Sequence, residues 1–248
     1  EVQQLVDQMP SLAGGLVSID SADDQFKLQT RIALLLTNPQ VRSQLSRLQG
    51  YVPSLLSDSS QAAPLLAMGY GMTPSEMAPA VQQLWQLFTA DSYQCPPLEA
   101  LRSQWAEQNP AMLAMATGMV NGLKGVHLLF NDIQLELAND EQPVKSLDLL
   151  LGISASNLRT LWGMTAGFNP LHATLPWPKD EQPVAVPLPA DWPAVLPLWL
   201  KVKGEHAFFY SGEQAARQAS QISDEQVTSN GLFAMAINYE RLGSLVGE

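Results

Sequence analysis

The chain is poor in cysteine, in positive charge and in charge of either sign, and no long apolar run interrupts it. One cysteine, Cys95, in 248 residues excludes an intramolecular disulfide and any multi-cysteine zinc site. Within Gln94-Cys95-Pro96-Pro97 it reads as an inert thiol rather than a nucleophile or an intermolecular bridge. Thirteen Lys and Arg against 24 Asp and Glu leave a formal net charge of −11. The basic residues are scattered, so the clustered cations that nucleic acid or an anionic membrane surface would require are missing. No apolar stretch reaches the roughly 18 residues of a membrane-spanning helix.

Charged residues make up 15% of the chain, below the roughly 25% usual for soluble domains. Neutral polar groups, glutamine above all, must therefore solvate the surface, as in Gln82-Gln83-Leu84-Trp85-Gln86 and Arg217-Gln218-Ala219-Ser220-Gln221. Such a surface suits an extracytoplasmic bacterial protein. The first residue is Glu1 and no signal peptide opens the chain, so the expectation is a removed signal peptide or N-terminal anchor. The last residues read as helix, which suggests one piece of a longer protein.

Catalytic signatures are also scarce. Gly152-Ile153-Ser154-Ala155-Ser156 follows the G-x-S-x-G nucleophile elbow until its last position, where the second glycine is absent. Ser154 reads more simply as the cap of a following helix that carries Leu158, Leu161 and Trp162. Asp20, Asp23 and Asp24 could hold a cation weakly, but an acidic first turn of a helix starting at Ser21 explains them. The three histidines, His127, His172 and His206, lack zinc-ligand spacing. His127 and His206 read as strand residues facing solvent, His172 as a loop residue. No metal or cofactor is expected.

What is present is periodicity. Gly15-Leu16-Val17-Ser18-Ile19 reads as a short strand, and Phe26, Ile32, Leu35 and Leu36 give the next segment a helical face. Pro39 to Leu48 reads as helix, stopped by Gly50. From Tyr51 to Val120 the reading is mostly helical, with starts at Thr73-Pro74-Ser75-Glu76, Pro96-Pro97 and Asn109-Pro110. Met112, Met115 and Met119 share a face of the last helix; the ordinary reading is core filling, the functional one an adaptable apolar groove.

After Gly122 apolar residues alternate. Val126, Leu128 and Phe130 differ in phase from Ile133, Leu135 and Leu137, so a turn or bulge is required at Asn131-Asp132. Leu147 to Ile153 is a further strand. Pro170 to Pro197 reads as an extended surface loop with polyproline character, in which Trp177 and Trp192 either pin the loop or receive a partner. A hairpin about Lys203-Gly204, a helix from Ser211-Gly212-Glu213-Gln214 through Ile222, a strand from Gly231 to Ile237 and a helix after Asn238 complete the chain.

Lys124-Gly125-Val126-His127-Leu128-Leu129-Phe130 returns as Lys203-Gly204-Glu205-His206-Ala207-Phe208-Phe209, and Ile153 to Gly163 matches Ile237 to Gly247 in its Ile, Leu and Gly positions. The echo reads as the trace of a duplicated strand-and-helix unit. The expected class is α+β: a helical N-terminal half inserted after a first strand, then two antiparallel strand/helix units, read as duplicates, with helices on one sheet face. The divisions are a mainly helical region 1–121 with a strand near 15–19, a first strand/helix unit 122–169, a Pro-rich loop 170–197 and a second unit 198–248. A single compact domain is the alternative.

Functionally, the leading expectation is a non-enzymatic bacterial cell-envelope protein, periplasmic or of lipoprotein type. It would bind a protein partner or small apolar ligand, with Met112, Met115, Met119, Trp177 and Trp192 as contact candidates. The alternatives are a hydrolase using Ser154 or an acidic cluster with His172, and a structural repeat module of a longer protein.

Overall fold

A computed structural model describes residues 11–20, 27–35, 39–56, 64–90, 92, 94–107, 117–135, 144–166, 175–179, 181–188, 196–238 and 241–243, with 11–35 described by backbone. The chain divides into two compact units, Glu1–Arg47 with Glu240–Glu248, and Leu48–Tyr239. In the first, β1 (Ser11–Asp20) and β2 (Lys27–Leu35) form an antiparallel hairpin whose register slips between Ala13 and Leu16. The segment Lys27–Leu35, expected as helix, is therefore a strand, while Phe26 and Leu36 lie outside the described residues. Leu28, Thr30, Ile32 and Leu34 alternate with Lys27, Gln29 and Arg31, and this period of two, with a complementary neighbour, outweighs the sparse helical spacing. Helix α1 (Pro39–Leu48) follows where Pro39 predicts it.

The second unit is built on one antiparallel sheet. A 3-10 turn, Ser54–Leu56, precedes β3 (Leu66–Gly71), then come α2 (Pro74–Ala90) and α3 (Pro96–Ala106). Next are β4 (Leu123–Leu135), β5 (Val144–Ala155), α4 (Leu158–Ala166), β6 (Val184–Ala185), β7 (Trp199–Lys203), β8 (His206–Ser211), α5 (Glu213–Ile222) and β9 (Phe233–Ile237). The spatial order is β6-β7-β8-β5-β4-β3-β9. The mixed α+β class is thus observed.

β3 corrects the helical reading of Tyr51 to Val120. Gly69 and Gly71 weaken strand propensity in isolation, but a side chain at Gly69 would strike Leu56, and one at Gly71 would strike the Gly50 and Gly231 backbones. The strand carries glycine because another chain segment crosses close above it.

Alternation assigns each strand residue to a face. On the inner face Leu129, Leu150, Phe208 and Tyr210 pack with Ala215, Ala219 and Ile222 of α5 and with Tyr51, Val52 and Leu56. Helix α5 suits this role because Ala215, Gln218, Ala219 and Ile222, spaced i, i+3, i+4, i+7, are all buried. On the outer face Ala155, Leu200, Val202 and Ala207 pack with Leu158, Leu161 and Trp162 of α4 and with Leu175 and Trp177. Each hairpin-plus-helix unit, β4-β5-α4 and β7-β8-α5, thus carries its helix on one face, and the two faces are opposite.

The phase change in β4 is a bulge at Asn131. The register passes from Phe130 opposite Leu149 to Asp132 opposite Asp148. Asn131, fully buried, turns inward and exchanges hydrogen bonds with Gln218: its Nδ2 donates to Gln218 Oε1 at 2.8 Å, and Gln218 Nε2 donates to its Oδ1 at 2.9 Å. Asp148 accepts from Asn131 Nδ2 at 2.8 Å and from the backbone N–H groups of Gln214 and Ala215, both at 2.9 Å. A strand carboxylate thus caps α5, satisfying orphan amides at the positive end of its dipole.

The Pro-rich segment is only partly a surface loop. Val184 pairs with Leu200 and Ala185 with Trp199, while Leu175 and Pro178 are buried. Trp177 stands edge-on to Trp162 at 5.5 Å, which itself stacks on Phe209 at 6.2 Å.

Candidate functional site

Three polar side chains named from the sequence meet on the inner face. Ser154 pairs in register with His206 across β5 and β8, and His127 on β4 faces Gly152 on β5. A Cβ at Gly152 would land on the His127 ring, so the glycine makes room for the imidazole. Both histidine rings lie 5.9 Å from that of Phe208, His206 stacked and His127 edge-on. Both are 1% exposed. The solvent-facing reading of these histidines is thereby corrected, because α5 and residues 50–56 cover the face that β4 and β8 present.

The two rings differ in their bonding. His206 Nε2 lies 3.0 Å from the Glu225 carbonyl, which only accepts, so this nitrogen carries the proton. Nδ1, 2.9 Å from Ser154 Oγ, then accepts from the hydroxyl. Ser154 is accordingly not a helix cap; α4 begins at Leu158, and the Asn157 carbonyl accepts from Thr160 and Leu161. His127 has no hydrogen-bond partner at either ring nitrogen among the described protein groups. Burial first, and the neighbouring His206 second, lower its pKa from 6.5 to about 3, so the ring is neutral throughout the ordinary range.

Glu225 joins this cluster to the segment above. Its carboxylate accepts from Tyr51 Oη at 2.8 Å, from the Ser54 amide at 3.1 Å and from Ser54 Oγ at 2.7 Å. Burial, then the bond to Glu225, pushes the Tyr51 phenol above its usual range. Beside the cluster lies an open hollow of about 410 Å³, lined by Glu205, His206, Ser223, Glu225 and Thr228 among others.

The order hydroxyl, imidazole, acceptor is that of an activated serine, and the sequence reading missed it by setting His206 on the solvent side of its strand. The common inward phase of Ser154 and His206 was the available signal. Ser154, however, has no exposed surface, so no acyl group reaches Oγ in this conformation. His172, Asp23 and Asp24 lie outside the described residues, and Asp20 ends β1 opposite Lys27. Among the described residues no group of three or more His, Cys, Asp or Glu could hold a metal ion, and no helix is long and apolar enough to cross a membrane.

The outer face offers a different kind of surface. The register aligns Met235, Met68, Leu128, Leu151 and Phe209 in one cross-strand row, and Phe233, Tyr70, Val126, Ile153 and Ala207 in the next. Toward β8 these rows run under α4; toward β9 several of their side chains are exposed. Tyr70 is 47% exposed, Phe233 49%, Met235 53% and Leu151 37%, and the Tyr70 and Phe233 rings are in contact at 4.8 Å. Of the contact candidates, Met119 is exposed and Trp177 half-buried, while Met112, Met115 and Trp192 lie outside the described residues. No family model, curated protein or solved structure matches the chain.

Proposed function

We propose that this chain is a non-enzymatic binding protein of the bacterial cell envelope that holds a protein partner on the outer face of its sheet. The observation that carries the reading is the apolar patch of Tyr70, Phe233, Met235 and Leu151, each more than a third exposed. A contiguous uncovered aromatic and aliphatic surface of this kind marks interaction sites more often than ordinary monomer surface. The envelope assignment rests on the low charge and glutamine-rich polar surface.

A photocrosslinking residue at Phe233 or Met235 in cells is expected to trap one discrete adduct, with none from the same residue at Arg217 behind the sheet. The purified partner should then bind Met235→Glu at least tenfold more weakly than the parent chain. Absence of an adduct from both outer-face positions overturns the reading. A hydrolytic alternative has the 2.9 Å contact between Ser154 and His206 in its favour, and burial of Ser154 places it second. Turnover of a small activated ester that is abolished by Ser154→Ala, with an unchanged melting temperature, would reverse that order.

A further inference from the structure

The inner sheet face has two covers of unlike construction. Helix α5 is held by apolar packing, by the Asn131–Gln218 amide pair and by the Asp148 cap. Residues 50–56 bury Tyr51, Val52 and Leu56 in the same core but form only one 3-10 turn, and the rest of their attachment is polar. Glu225 grips Tyr51 and Ser54 as described. Asn230 accepts from the Val52 amide and donates to the Val52 carbonyl, both at 2.8 Å. Gly50 and Gly231 exchange backbone bonds of 3.0 and 3.2 Å. A short segment with one 3-10 turn, fastened in part by hydrogen bonds that water can replace, opens locally at lower cost than a ten-residue helix packed along its length, so this cover is the easier one to lift.

Under it lies His127. The space that a side chain on Gly69 would fill is bounded by Leu56, by Val52 and by the Cβ of His127, and the Tyr51 ring stands edge-on to His206 at 5.3 Å. We propose that residues 50–56 form an acid-released lid, with His127 as the group whose protonation opens it. The inner face offers a charged imidazole no uncommitted counter-ion, since the Asp148 carboxylate farther along β5 is taken up by Asn131 and the α5 amides. The inward residues of β3 are Ala67, Gly69 and Gly71, those of β5 Asp148, Leu150, Gly152 and Ser154, and those of α5 Ala215, Gln218, Ala219 and Ile222. The titratable neighbours are His206 from β8 and the Tyr51 phenol, while the Glu225 carboxylate is engaged with the lid itself. Water reaches a protonated His127 once the lid lifts, and lifting removes Val52, Leu56 and Tyr51 together.

The direction follows from linkage. A ring that titrates near 6.5 when solvated and near 3 when covered favours the open form increasingly below pH 6.5, by about tenfold per pH unit. Hydrogen exchange read by mass spectrometry between pH 7.5 and 5.0, where ordinary carboxylates stay ionised, tests this. Protection factors corrected for intrinsic exchange should fall about thirtyfold from pH 7.5 to 5.0 in peptides covering 50–56 and 225–231, while β5 amides at 149–153 keep theirs. His127→Leu should flatten that dependence. Glu225→Gln, which leaves the inner face intact, should lower lid protection at every pH with the slope unchanged. Loss of β5 protection in step with the lid, or an undiminished slope in His127→Leu, overturns the proposal, as does a slope that disappears in Glu225→Gln.

Discussion

The two faces of the sheet are built from the same strands and do opposite things with their polar and apolar residues. The inner face buries Asn131, Ser154, His127 and His206 among aliphatic and aromatic side chains, and all but His127 find partners. The outer face buries apolar groups under α4 and then, from Leu151 to β9, leaves similar groups in water. Buried polar groups cost free energy unless they are bonded, whereas exposed apolar groups cost folding little and favour association. Stability and recognition are therefore separable on this sheet: substitutions on the inner face should change the former, and those at the β9 end of the outer face the latter.

The largest effect is expected at Gly152. Gly152→Val drives a branched side chain into the His127 ring and should cost about 3 kcal/mol or more, read as a lowered denaturant midpoint. Combining Gly152→Ala with His127→Ala should cost less than the sum of the single changes, because the second removes what the first strikes. Additive costs would mean that the ring and the glycine are not in contact. Asp148→Ala comes next. It removes both amide caps of α5 and one partner of Asn131, a loss of about 2–3 kcal/mol, and Asp148→Asn should recover part of it.

His127→Leu should act in the other direction. Replacing an unpartnered buried imidazole by an apolar group of similar size removes a desolvation cost of about 1 kcal/mol, so the variant should melt higher at pH 7.5. The parent's stability from this group is fully present above pH 6.5 and is lost as pH falls toward 3, by up to about 1.4 kcal/mol per pH unit. Melting curves of the two proteins should therefore diverge further at pH 5, and parallel curves would contradict the assignment.

How much of this was legible in the sequence varies with the physical signal. The helix starts at Pro74 and Pro96 were readable because proline in the first helical turn acts locally. The bulge at Asn131 was readable because a one-residue slip in an alternating pattern has few other solutions. β3 was not, since Gly69 and Gly71 make sense only once Leu56 and the Gly50 backbone lie against them, and that contact is distant in sequence. The Lys-Gly-x-His echo falls on unlike positions of the two hairpins. Gly125 lies inside β4, whereas Gly204 turns a hairpin with φ +57°, so the echoed residues fall on the first strand of one hairpin and the turn and second strand of the other. Similar letters met different partners. The Ser154–His206 bond likewise joins residues 52 apart, and only the strand order β8-β5 brings them together.

The smallest effect expected on folding is the most telling for function. Met235 is 53% exposed on an outermost strand and packs under no helix among the described residues. Met235→Ser should therefore shift stability by no more than about 0.5 kcal/mol, within the scatter of surface substitutions. If the β9 end of the outer face receives a partner, the same change should weaken that complex by about tenfold or more, since truncating a central apolar anchor commonly costs more than 1 kcal/mol of binding. A variant that folds as the parent does and loses its partner would separate the two faces cleanly. A variant that unfolds would show that the outer row is core, and the open end of the sheet would then be part of the fold's own packing.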